Sequence, residues 1–512
     1  MSPPGRCLTN DVDKRTTSLG HVARRYHGNT GVNAASRPQT PASLVGDHHR
    51  TPAGCTLGNS LEKRRHGFCS DRGSWVTGHR SGQDGKWLLK LPAVTDPGPF
   101  VIRVSSSEGQ VTLNDVLFGD VWLCSGQSNM EFPMNQVNNS EDEQQRALAF
   151  STIRVFLTAF AKSDSPLDTV STWHPWGPPT SGGIGGLSAV CWLFGEYLQP
   201  HLNYPIGLVQ TSRGGTSIEA WSPPEAISVC PSNPFNNEPE CCPQRPLVLW
   251  NAMIHPFLNM TIFGAIWYQG ETNVGYPEAY SCQMKQLVKQ WRDMFHNGSV
   301  GETSLDFPFG YVQLSALNPP NATQWDAYPD LRWAQTVGHG YSPNPDLPYT
   351  FMAVAMDLPD FSSPYGAVHT RFKQDVSRRL VLGALHVAYG RSDVTFQGPF
   401  PTLFTNDASQ RALIVQYDYG RTPLDIRATN GFQICCASSS DPCDSHGPRW
   451  MEVPITKHGN SDVTLSIAGC SQRVMGLRYA WRDSPCELKK CAIYAADSGL
   501  PAPPYMTKTP VT

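Results

Sequence analysis

The strongest constraint on how this chain folds is a series of five short apolar runs: Val121 to Leu123, Ile206 to Val209, Ile262 to Tyr268, Gly310 to Leu314 and Phe351 to Met356. Runs this short suit strands buried on both faces, as in a parallel sheet. Helical periods lie between and after them. Met284, Leu287, Val288, Trp291, Met294 and Phe295 follow the i, i+3, i+4, i+7 spacing, and Phe372, Val376, Leu380, Ala384 and Val387 repeat it. The alternation predicts an α/β class chain with a doubly wound parallel sheet between two helical layers.

Composition and flanking segments set the boundaries. In 512 residues, 16% charged and 39% hydrophobic, the chain is too apolar for wholesale disorder. Residues 1–72 differ from the rest. The first 70 residues hold ten Lys/Arg, four Asp/Glu and five His, giving +6 against −9 for the remainder. This basic stretch lacks a periodic apolar pattern and is expected to be disordered. Residues 73–114 read as a partial β-module, 115–393 as the α/β domain, and 394–512 as a Cys-rich β-domain containing the runs Ala412 to Tyr417, Val463 to Ile467 and Val474 to Tyr479. The total charge of −3 gives no reason to expect nucleic acid as a partner, and no apolar run is long enough for a membrane span.

The redox signals conflict. Six of fifteen cysteines fall in the last 78 residues, and N-x-[ST] sequons occur at Asn138, Asn259, Asn297 and Asn321. Both favour an oxidising compartment with disulfides over a metal site. The start of the chain shows no apolar signal-peptide core, which leaves a cytosolic location open.

Ligands of open α/β sheets bind beyond the carboxyl ends of the strands. Four of the five runs end in small, polar or acidic residues: Cys124 to Met130, Thr211 to Thr216, Gln269 to Asn273, and Asp357 to Asp360. Ser128, in a Gly-flanked turn, is the candidate nucleophile. The set Gly-Gln-Ser-Asn lacks the second glycine of the G-x-S-x-G elbow and so disfavours an ordinary α/β-hydrolase. Backbone N–H groups of Ser128 and Gly215, with the amides of Gln269 or Asn273, are candidate oxyanion donors. His369 is the candidate base and is expected to open the final helix; His255 is the runner-up. Asp357, and next Asp360, are candidates for the acid that orients it, although Gly366 occupies the position three residues before His369.

These blocks resemble the sialate O-acetylesterase family of the SGNH hydrolase superfamily. The resemblance is carried by Gly119 to Met130, Ser212 to Trp221, Trp267 to Asn273, and Met352 to Asp360 with His369, in that order, and extends from about residue 83 to Pro504. It implies an SGNH-type esterase that removes O-acetyl groups, chiefly 9-O-acetyl, from sialic acids or sialoglycoconjugates. The implied mechanism is a Ser-His-Asp acyl-enzyme without metal or cofactor, in a lysosomal or secreted glycoprotein. An anionic substrate calls for an arginine, and Arg332 and Arg371 are the candidates. Arg213 stands where members usually carry Trp, and Thr370 where Pro is usual. The alternative reading is a catalytically impaired or non-catalytic sialoglycan-binding variant.

Overall fold

The computed structural model describes residues 96–508, with breaks at 107–108, 181, 232–241, 318, 320–325, 439–442 and 445, and before them the backbone of four strands. Its centre is a seven-stranded sheet. From one edge, the order is Thr350–Val354, Phe309–Gln313, Gly264–Tyr268, Asp120–Gly126, Ile206–Ser212, Ile153–Thr158 and Thr172–Gly177. All neighbours are parallel except the last pair. All five apolar runs are therefore neighbouring parallel strands, and every residue in these five strands is buried. The periodicity did not reveal Ile153–Thr158 or the antiparallel edge strand Thr172–Gly177, whose exposed and half-buried positions alternate.

Helices complete the layers. Pro277–Gly298 and Lys373–Gly383 carry the two periodic patterns, and Ala189–Leu202 joins them without a sequence signal. That helix is apolar around most of its circumference, since Ala189 to Glu196 are all buried, so no amphipathic period exists to detect. A disulfide between Cys124 and Cys191 ties it to the central strand.

On the amino-terminal side, strands Ala42–Gly46, His66–Ser70, Trp75–Arg80, Trp87–Leu91, Phe100–Ser106 and Gly109–Val116 form one antiparallel sheet. Two of them lie in the stretch expected to be disordered, 1–72. Ala42–Gly46 pairs with Trp87–Leu91, and His66–Ser70 pairs with Trp75–Arg80 and Phe100–Ser106. The other residues of 1–72 lie outside the described ones.

The chain ends in β-structure, with two four-stranded sheets between Pro401 and Thr507 and a short pair, Leu424–Ile426 with Ile493–Ala495. Disulfides join Cys435 to Cys443, Cys436 to Cys470 and Cys486 to Cys491, and Cys230 to Cys282 nearer the centre. Crowded cysteines thus become disulfides, as expected for an oxidising compartment.

At the amino end of the central strand, Asp120 is fully buried. Its Oδ2 accepts from the hydroxyls of Tyr204 (2.7 Å) and Tyr389 (2.8 Å). Burial pushes its carboxyl up to about 7 against the two hydrogen bonds. A folded value above the unfolded one means that the native state holds the proton more tightly. The stabilisation is full below about pH 4 and is lost as pH rises to about 7, because over that range the folded carboxyl keeps its proton while the unfolded one has released it. Asp120→Asn is therefore expected to flatten the decline of Tm between pH 4 and 7. A decline as steep as the parent's would count against Asp120 as its source.

Candidate active site

The ends of three parallel strands lie in register, Gly126 opposite both Ser212 and Tyr268. The loops leaving these three strands therefore meet at one place beside the central strand, where the connections diverge to the two halves of the sheet. Gly126 makes the turn possible. Its φ is +142°, and an added Cβ would lie 2.2 Å from the Tyr268 carbonyl oxygen. The chain then turns at once into the short helix Ser128–Glu131, with Ser128 at its first position.

Ser128 Oγ lies 2.9 Å from His369 Nε2. His369 Nδ1 lies 2.7 Å from the Tyr365 carbonyl oxygen. A carbonyl only accepts, so Nδ1 carries the hydrogen, and in the neutral ring Nε2 is left as the acceptor for the serine hydroxyl. Burial holds the imidazole below its ordinary value, the Tyr365 carbonyl opposes this, and the charge of Lys373 adds to it. The ring is therefore a free base at lower pH than an exposed histidine.

His369 does not open the final helix, which starts at Lys373; it sits in the preceding turn, where its N–H donates to the Gly366 carbonyl. His255 lies elsewhere, its Nδ1 2.9 Å from the Leu167 carbonyl. Neither acid reaches the imidazole's outer nitrogen. Asp357 is fully buried and takes two hydrogen bonds from Arg379 (2.6 and 2.9 Å) and one from Tyr494. Asp360 takes a bidentate pair from Arg371 (2.6 and 2.8 Å), which holds its carboxyl below the usual range against burial. Each carboxylate has its own guanidinium, the stronger partner for a largely buried charge.

The candidate amides are also engaged. Gln269 Nε2 donates to the Thr216 carbonyl (3.1 Å) and to Asn273 Oδ1 (2.7 Å), and Asn273 Nδ2 donates to Glu219 (2.9 Å). With both side chains fully buried, these bonds brace the strand-end loops. The glycine loop does approach. A Cβ on Gly214 would come within 3.2 Å of Ser128 Cβ, and Gly215 has φ +71°. Glu131 holds this loop, its Oε2 accepting from Gly214 N–H at 2.6 Å and its Oε1 from Arg213 at 3.3 Å.

Of the two arginines expected to bind substrate, Arg332 is fully buried. It donates to the carbonyls of Leu314, Ser315, Arg482 and Asp483 at 2.7–2.8 Å. Arg371 is partly exposed and paired with Asp360. Sequence reasoning missed Asn129, Glu131, Glu271, Tyr365 and Lys373. Asn129, Glu131 and Glu271 stand next to residues that strand-end position singled out. Tyr365 acts through its carbonyl, which every residue has.

A family model described as "Carbohydrate esterase, sialic acid-specific acetylesterase" matches residues 118–332, and one described as "Sialate O-acetylesterase C-terminal domain" matches 402–509. The chain is 39% identical over 462 residues to a sialate O-acetylesterase of Mus musculus, covering 82% of this chain and 84% of that one. It is 40% identical over 436 residues to that of Homo sapiens, covering 82% of each. A crystal structure of a carbohydrate acetylesterase from Xanthomonas citri superimposes with a TM-score of 0.73 at 27% identity, covering 92% of this chain and 96% of that one.

Proposed function

Because this chain belongs to the sialate O-acetylesterase family, we propose that it removes O-acetyl groups from sialic acids, 9-O-acetyl foremost, by acyl transfer through Ser128 and His369. The observation that carries this is the 2.9 Å contact between Ser128 Oγ and His369 Nε2 at the carboxyl ends of the central strands. Ser128 Oγ attacks the acetyl carbonyl carbon while its proton passes to Nε2. The Ser128 and Gly215 N–H groups receive the oxyanion. As the intermediate collapses, the bond to the sugar oxygen breaks and His369 returns the proton to that oxygen. Water, deprotonated by the same nitrogen, then releases acetate and restores Ser128.

In this reading the Tyr365 carbonyl performs the orienting task expected of an aspartate. It fixes the tautomer but brings no full negative charge, so the protonated ring gains less stabilisation than beside a carboxylate. Since the His369 value is lowered, kcat/KM is expected to hold to more acid pH than an unperturbed imidazole allows, and to fall when Nε2 takes a proton. The five disulfides among the described residues support a lysosomal or secreted setting. An SGNH-type esterase unit over 115–393 is part of the same proposal.

The test is acetate release from 9-O-acetylated and 4-O-acetylated sialosides by the purified chain, with an organophosphonate to label the nucleophile. Release from the 9-position with labelling at Ser128 is expected. A chain that binds the sialoside without releasing acetate or accepting the label would support the non-catalytic alternative instead.

A further inference from the structure

Beneath the Ser128–His369 pair lies a buried polar group that the acyl-transfer steps do not use. Asn129 Nδ2 donates to Glu271 Oε1 at 2.6 Å and to the Val368 carbonyl at 3.0 Å, and Lys373 Nζ donates to Asn129 Oδ1. Asn129 and Lys373 are fully buried. These partners settle which way the amide points, because an ammonium only donates while a carboxylate and a carbonyl accept. Lys373 Nζ also lies over the rings of Phe132 (4.8 Å) and Tyr268 (5.2 Å), so aromatic faces surround the cation where water would otherwise be.

The four groups come from different parts of the site. Asn129 follows the nucleophile, Glu271 follows the strand Gly264–Tyr268, Val368 precedes the base, and Lys373 begins the helix after it. We propose that Asn129, held in orientation by Lys373 and Glu271, is a positioning residue that clamps the His369 turn against Ser128. The proposal rests on the Ser128–His369 reading. It identifies what holds a histidine whose outer nitrogen has only a carbonyl. Tyr365 fixes the tautomer, and the Asn129 clamp on Val368 fixes the backbone one residue from the ring.

The ionisable groups around Lys373 are Glu271 from the strand-end loop, Asp360 from the loop after Thr350–Val354, Tyr268 from the sheet, and His369 from its own turn. Burial pushes the Lys373 ammonium down to about 7, with Glu271 and Asp360 opposing, and pushes the Glu271 carboxyl up. Below neutrality Lys373 is a cation close to His369, and it disfavours a second charge on the imidazole.

Asn129→Asp keeps the shape but removes both N–H donors and sets a second carboxyl beside Glu271. On an aryl acetate it is expected to lower kcat by about 10- to 100-fold with KM nearly unchanged, the size of loss that a displaced catalytic group produces. Lys373→Met removes the donor and the charge, and is expected to shift the acid limb of kcat/KM to higher pH. A folded Asn129→Asp enzyme with the parent's kcat would overturn the clamp. Should that variant fail to fold, Lys373→Met is expected to lower kcat as well, since it removes the donor that orients Asn129, and a folded Lys373→Met enzyme with the parent's kcat would overturn the clamp instead. A parent that neither turns over aryl acetate nor accepts an organophosphonate would overturn the dyad and the clamp together, whereas loss of the clamp alone leaves the parent active.

Discussion

Ser128→Ala is expected to reduce kcat on an aryl acetate by about 10⁴- to 10⁶-fold while leaving the fold intact, the range found when a serine nucleophile is removed. The hydroxyl lies 2.9 Å from the imidazole and the side chain is half-buried, so its loss creates no sizeable core cavity. Circular dichroism and Tm should match the parent. Residual turnover should come from the Ser128 and Gly215 N–H groups, which the substitution keeps. Parent-like turnover in the alanine variant would exclude an acyl-enzyme on Ser128, and a large fall in Tm would show that the residue matters mainly to the turn after Gly126.

Arg332→Met should give the opposite pattern, a large loss of stability and a small effect on recognition. The guanidinium is fully buried, and burial lowers its value only to about 10, so it stays charged at neutral pH. Methionine would leave the carbonyls of Leu314, Ser315, Arg482 and Asp483 without their shared donor. Three of these carbonyls are buried, and at about 1 kcal/mol or more for each buried unsatisfied group the loss is on the order of 3 kcal/mol. Two of these carbonyls belong to residues about 150 positions later in the chain. The variant should therefore loosen the attachment of the carboxyl-terminal β-structure to the central sheet. Urea denaturation measures the loss, and KM for an anionic sialoside compared with a neutral aryl acetate measures recognition. A stable variant with KM raised only for the sialoside would return Arg332 to the role of substrate ligand.

These two residues mark how far the sequence could be read. Ser128 and Gly215 stood out because each lies just past a strand end, and His369 because it follows the last strand-end loop; strand ends follow from run length and flanking glycines. The serine is the first residue of a helix that begins one residue past the strand, so its position hardly depends on distant structure. Asp357 and Asp360 satisfied the same criterion of place and still turned away from His369, because Arg379 and Arg371 offer each a charged partner. Gln269 and Asn273 likewise turn to Thr216, Glu219 and each other. The helix Ala189–Leu202 was invisible for another reason: burial on nearly all sides erases the period that marks a surface helix.

By itself, the sequence determined the order of the five buried parallel strands and of the helices Pro277–Gly298 and Lys373–Gly383, and which small and polar residues stand at the carboxyl ends of those strands. Run length, periodicity and turn glycines are local properties, and they act over a few residues. Only the tertiary structure decided which polar side chains remain available for chemistry. A buried charge or amide must find a partner, and those partners, Arg379 for Asp357, Tyr365 for His369 and Lys373 for Asn129, are chosen by proximity in space.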